Sequence, residues 1–255
     1  MSFRSRTRVT GAFYIPGFPK GVKWLLISNV VIFILNFFAD RAGVSGPLIF
    51  LKLIPVAVVK DFFVWQLATY AFLHGGFGHI IWNMLALWMF GADIERVWGT
   101  RRFVQFYFFC AVGAGICVVI ANYILPWGNP NIPTIGSSGA IFGILLVYAM
   151  LFPDREILWG FLIPIKVKYF VAIIGAVAFL SSFGENTGVS NFAHLGGLLF
   201  GYLFLKTPRL QFDPIEPVRH QYREWKLQRA KKKFQVYLRK QGSGKPGSGR
   251  GPTVN

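Results

Sequence analysis

The chain has 255 residues, 54% of them hydrophobic and only 15% charged, with mean hydropathy +0.48. That composition excludes an ordinary soluble domain and a disordered chain, and fits a multi-pass membrane protein. The net charge of +17 is unevenly distributed, which makes it a statement about topology rather than about nucleic acid.

Apolar runs of about 20 residues, the length a helix needs to cross hydrocarbon, are predicted near 21–39, 78–95, 102–125, 136–152, 167–183 and 189–206. The expected fold is an all-α integral membrane protein, a bundle of six transmembrane helices over residues 21–206. Residues 1–20 form a short N-terminal segment. The first run follows an Arg-bearing stretch and has no small-residue cleavage site near its end, so it reads as retained rather than as a signal peptide. The connection 40–77 carries Pro47, Pro55, Phe62, Phe63 and Trp65; too short and interrupted to span, it is expected at the membrane interface. Cys110 and Cys117 lie about 10.5 Å apart along one helix and cannot bridge. Pro126 to Thr134 is turn chemistry without charge. Residues 153–166, apolar from Ile157 to Ile165 but interrupted by Lys166 and Lys168, read as an interfacial segment. Beyond the last run, 207–240 is a basic tail with an amphipathic helix candidate over 214–239. Residues 241–255 are Gly/Ser-rich and read as disordered.

Of the 27 Lys and Arg, 24 fall before or at the start of the first run, in or at the edges of the second-to-third and fourth-to-fifth connections, or from the end of the sixth run onward. The opposite side holds only Arg41, Lys52 and Lys60. Under the positive-inside rule both termini are then cytoplasmic. The basic tail is expected to meet anionic lipid headgroups, with no nucleic-acid partner.

This topology brings three polar side chains to one face. With the amino terminus inside, the second, fourth and sixth runs begin at the outer surface. His79, Ser138 and His194 then lie within roughly 10 Å of it at 1.5 Å rise per residue. Polar groups in hydrocarbon are expensive and call for a partner. A serine hydroxyl becomes a nucleophile when an imidazole takes its proton, so Ser138 and His194 each supply what the other needs. Gly136, Gly139 and Gly143 thin one side of the fourth run, and Gly197 and Gly201 thin the sixth, which allows close helix approach. His79 and Asn83, at i and i+4, can offer an imidazole N–H and a carboxamide NH₂ to an oxyanion, beside the Ser138 backbone N–H. No carboxylate accompanies the pair except loop residue Glu185, so a dyad is expected. His74 reads as steadying the first outer loop, Glu95 as holding the inner end of the second run to backbone donors, and His220 as solvated.

The residues Trp65-Gln66, His74, His79-x-x-x-Asn83, Glu95, Gly136-x-Ser138-Gly139 and Ala193-His194-x-x-Gly197-x-x-x-Gly201 together resemble the rhomboid intramembrane serine proteases. The resemblance implies Ser138 as nucleophile, His194 as general base, and His79 with Asn83 in the oxyanion hole. It also implies transmembrane protein substrates cut near their outer end. Separately, no metal is expected, since there is no His-Glu-x-x-His and His194 lacks neighbouring ligands, and serine chemistry needs no organic cofactor. Two positions depart from common forms of the pattern. Phe142 stands where a tyrosine often stacks on the histidine, and Gln66 where some members carry arginine. The absence of a large appended domain suits a bacterial inner-membrane form. The competing classes are a rhomboid-like protein that binds membrane clients without cutting them, and a transporter using His79 and His194 as proton carriers. The second lacks an internal repeat or a deep carboxylate.

Overall fold

The computed structural model describes residues 17–44, 46–159, 163–182, 188–207 and Arg229. Expectations placed on Arg4, Arg6, Arg8, Glu185, His220 and the tail segments 208–240 and 241–255 lie outside these residues, Arg229 apart. The chain divides into two units, Met1–Gln211 and Phe212–Asn255, and every element below belongs to the first.

α1 (Lys20–Arg41) buries only the stripe Gly21, Val22, Leu25, Asn29 and Phe33, while Trp24, Leu35 and Phe38 stay exposed. A helix apolar all round that hides one narrow stripe presents the rest to an apolar solvent. A 3₁₀ turn (Gly46–Leu51), α2 (Pro55–Lys60), α3 (Gln66–Thr69) and a second 3₁₀ turn (Tyr70–Phe72) make up the first connection. Proline and short apolar clusters break it into single turns. Gln66 is buried there, accepting the Ile54 N–H at 2.9 Å and donating to the Phe50 carbonyl at 3.4 Å. The Trp65 indole also donates to Phe50, at 2.9 Å. Gln66 thus braces the connection from inside.

α4 (Phe77–Ala86) runs through a π-helical turn (Leu87–Gly91) into α5 (Ala92–Trp98), and Gly99 at φ 81 turns the chain into α6 (Thr100–Ile124). α7 (Ser138–Leu151), α8 (Val167–Ser181) and α9 (Gly188–Lys206) complete the helices. α1 and α6 are long and apolar enough to cross a membrane, and α7 and α8 are shorter apolar helices. The core sits where α6, α7 and α9 meet, around Phe106, Tyr107, Cys110, Ala114, Ile144 and Phe204. Cys110 and Cys117 are both free.

Among the described residues, one strand pair is not helical. β1 (Glu156–Trp159) pairs antiparallel with β2 (Ile163–Lys166), with Ile157 opposite Ile165. β-branched Ile157, Ile163 and Ile165 favour extended backbone, so part of the segment read as interfacial folds as a hairpin. The all-α expectation is amended at this one place.

The end of α5 is tied to the start of α1. Glu95, buried, accepts the Gly21 N–H at 2.8 Å, the Val22 N–H at 2.7 Å and the Thr100 hydroxyl at 2.6 Å. Pro19 and Lys20 offer no side-chain cap, so Glu95 satisfies N-terminal donors that would otherwise be orphaned. Glu95→Ala is expected to destabilise the fold by about 2–4 kcal/mol, since two buried donors lose a charged acceptor. Thermal unfolding in detergent checks this, and an unchanged midpoint would contradict it.

Candidate active site

Gly136 adopts φ +123, a conformation side chains resist, and its N–H donates to the Tyr70 carbonyl at 2.9 Å. The turn it makes delivers Ser138 as the first residue of α7, two residues earlier in the helix than expected. The first helical bond runs from the Ile141 N–H to the Ser137 carbonyl, at 3.0 Å. The N–H groups of Ser138 and Gly139 therefore have no intrahelical acceptor. They form an N-terminal cradle for negative charge.

α9 brings His194 to this point. Its Nε2 lies 2.9 Å from the Ser138 Oγ, and both residues are half-buried. The Phe142 ring, one turn beyond Ser138, stacks on the imidazole with centroids 4.2 Å apart and planes 3° from parallel. The hydroxyl of a tyrosine is not needed for that contact. Close approach of the two helices makes it possible. A Cβ on Gly197 would overlap the Gly139 carbonyl oxygen and stand 2.8 Å from its carbon, and one on Gly201 would come 3.0 Å from the Gly143 Cα. Glycine here is a requirement of helix contact.

His79 approaches from α4. A Cβ on Gly136 would lie 2.7 Å from its Cε1 and 2.8 Å from its Nε2, so the ring sits directly over the turn before Ser138. Asn83 is buried, and its amide donates to the His79 carbonyl at 2.9 Å. One carboxamide hydrogen is thus spent within α4, leaving one for a ligand. His74, buried in the loop before α4, places Nε2 3.2 Å from the Ser137 hydroxyl. Its ring meets His79 edge-on, 5.0 Å between centroids. Burial, and then the neighbouring His79, lower the His74 pKa from 6.5 to about 4, which keeps this imidazole neutral at ordinary pH.

Ser138, His194, Phe142, Gly139, Gly197 and Gly201 therefore share the α7–α9 seam, while Gly136 and His79 meet at the turn before the serine, Asn83 turns back on the His79 carbonyl and His74 reaches Ser137. Glu95 belongs to the opposite end. A hydroxyl within hydrogen-bond reach of an imidazole, beside unspent backbone donors, is equipped for acyl transfer.

A model of the Rhomboid domain matches residues 61–208. The chain belongs to the rhomboid family. It is 37% identical over 140 residues to the Rhomboid protease GluP of Bacillus subtilis, covering 54% of this chain and 25% of that protein. It is 34% identical over 140 residues to the Putative rhomboid protease YdcA of the same organism, covering 54% and 64%. With Rhomboid protein 1, mitochondrial, of Saccharomyces cerevisiae it shares 32% identity over 136 residues, covering 52% and 39%. The matched region spans less than two thirds of each relative's length. Membership places the chain among the membrane-embedded, multi-span, helical proteins of a family whose named members include proteases.

Three rhomboid-domain features escaped the sequence. Ser137, hydrogen-bonded to His74, is hidden beside a more conspicuous serine. The Tyr70 hydroxyl, fully buried, donates to the Ala111 carbonyl at 2.8 Å and ties the loop before α4 to α6. At the end of α7 remote from Ser138, Asp93 accepts from Arg96 at 2.7 Å and pairs with Arg155. Arg155 also donates to the Tyr148 hydroxyl at 2.6 Å. No spacing rule links Asp93 to Arg155, which meet only through tertiary packing.

Proposed function

We propose that this protein is an intramembrane serine endopeptidase that hydrolyses transmembrane protein substrates near the outer membrane face with a Ser138–His194 dyad. The observation that carries the reading is the 2.9 Å approach of the His194 Nε2 to the Ser138 Oγ, under the stacked Phe142 ring. The reaction proceeds in two halves. The Ser138 Oγ attacks the scissile carbonyl carbon as His194 takes the hydroxyl proton, and the tetrahedral oxyanion is held by the Ser138 N–H, His79 and Asn83. His194 then gives its proton to the leaving amine, an acyl-enzyme remains, and water deprotonated by His194 hydrolyses it. Gly136, lacking a Cβ, leaves room for the His79 ring over the turn before the serine, beside the forming oxyanion. No metal or organic cofactor is required by this chemistry.

The site would sit in a six-span bundle with both termini cytoplasmic, in a bacterial inner membrane. The positive-inside distribution of 24 of the 27 Lys and Arg supports that orientation. A substrate helix must unwind to expose its carbonyl, because helical backbone is shielded and hydrogen-bonded. Residues that break helices beside the cut favour cleavage. The test is proteolysis of a model transmembrane helix in reconstituted vesicles. Wild type is expected to cut near the outer end and Ser138→Ala to leave the substrate whole. Equal cutting by both would overturn the assignment, and cutting by neither would favour a client-binding protein.

The basic tail after residue 206 is proposed to contact anionic headgroups, each Lys or Arg near the surface contributing about 1 kcal/mol. Truncation after Pro208 is expected to lower the salt-dependent binding of the protein to anionic vesicles, and unchanged vesicle binding and activity would contradict the contact. An isolated tail peptide that binds neutral and anionic vesicles equally would contradict this.

A further inference from the structure

A neutral imidazole has one donor and one acceptor nitrogen, and the partner of one decides the role of the other. The Gly75 backbone N–H points at the His79 Nδ1 across 3.5 Å. A backbone N–H can only donate, so Nδ1 is the acceptor and the ring proton resides on Nε2. That same Nε2 lies over Gly136, 2.8 Å from where a Cβ would stand. The nitrogen left protonated is therefore the one facing the turn that carries Ser138.

What holds Gly75 in place is its neighbour. His74 is 2% exposed and its Nε2 lies 3.2 Å from the hydroxyl of Ser137, itself fully buried. The His74 ring stands edge-on to the His79 ring at 67° and 5.0 Å, which limits the orientations open to His79. The Gly136 N–H, bonded to the Tyr70 carbonyl at 2.9 Å, closes the loop from the other side. Two segments, 70–79 and 136–138, are laced together beside the serine.

We propose that Ser137, through His74 and Gly75, is a positioning residue that holds His79 as the Nε2–H tautomer, aimed at the oxyanion. The proposal rests on the endopeptidase reading, and it adds a role for the first serine of Gly136-Ser137-Ser138-Gly139. Ser137 touches no reacting atom. Its hydroxyl acts by fixing which nitrogen of another residue can donate, so its loss costs transition-state stabilisation and leaves substrate binding in place.

The chain has only four histidines, so ¹⁵N-histidine labelling followed by NMR in bilayers resolves the His79 tautomer directly. The wild type is expected to carry its His79 proton on Nε2. Ser137→Ala is expected to give a mixture of both tautomers and a kcat lower by about 10-fold, with KM within about twofold, as befits a partly misdirected oxyanion donor. Ser137→Cys keeps the volume while weakening the hydrogen bond, and should fall between the two should the alanine variant fold poorly. A wild-type His79 protonated on Nδ1 would overturn the proposal, as would wild-type kcat in both variants. The tautomer is read without turnover, so it stands apart from the endopeptidase reading, which fails instead if Ser138→Ala still cuts the vesicle substrate.

Discussion

His194→Ala is expected to reduce cleavage of a transmembrane substrate by on the order of 10⁴-fold in kcat, with little change in KM. The magnitude follows from what the imidazole does in each half-reaction. Without it the Ser138 hydroxyl must lose its proton to water, and the leaving amine must depart unprotonated. The backbone donors at the start of α7 remain, so a small residual rate above the uncatalysed one should persist. His194 acts on the protons of the reaction rather than on binding, which is why KM should hold. Phe142 stacks on this imidazole at 4.2 Å, so it orients the base without sharing its chemistry. Steady-state kinetics in vesicles checks the prediction. A variant within 10-fold of wild type would mean that the 2.9 Å contact is structural and that another base works.

Gly197→Val should couple a stability loss to an activity loss. The Gly197 Cα approaches the Gly139 carbonyl so closely that even a single methyl would overlap the oxygen. The obstacle is backbone, which cannot turn aside as a side-chain tip can. α9 must therefore move away from α7, at a cost of about 3 kcal/mol by the measure of overpacked cores. Gly139 adjoins Ser138, and His194 lies less than one helical turn before Gly197, so the same displacement stretches the hydrogen bond of the dyad. A misplacement of about 1 Å between reacting groups costs roughly 10²-fold in rate. Gly201→Ala, whose Cβ would meet Gly143 at 3.0 Å or more, should be milder on both counts. Paired melting and kinetic measurements test the coupling. Wild-type behaviour of Gly197→Val in both would show that the helices are not held at this seam.

Much of this arrangement is legible in the residues because membrane helices obey two strong constraints, length and hydropathy. The run expected at 21–39 corresponds to α1 over Lys20–Arg41, and that expected at 102–125 to α6 over Thr100–Ile124. The glycine spacing on the fourth and sixth runs likewise signals a close helix contact before any coordinate is known. Other features are invisible for physical reasons. The strand pair at Glu156–Lys166 follows a short apolar run, and such runs do not reveal their period. Asn83 is one turn from His79 in any helix, yet nothing in that spacing tells that its amide turns back on the His79 carbonyl. The Asp93–Arg155 pair joins residues 62 positions apart, a proximity that only the packed bundle creates. Ser137 is overlooked because its role depends on His74, brought to it by the loop before α4.

The most direct measurement is to treat the reconstituted protein with a fluorophosphonate and map the adduct by mass spectrometry. A single modification on Ser138 is expected, abolished in Ser138→Ala and strongly slowed in His194→Ala, because the hydroxyl is nucleophilic only beside that imidazole. An unmodified Ser138 in a protein that still cleaves its membrane substrate, or labelling at the same rate without His194, would contradict the dyad.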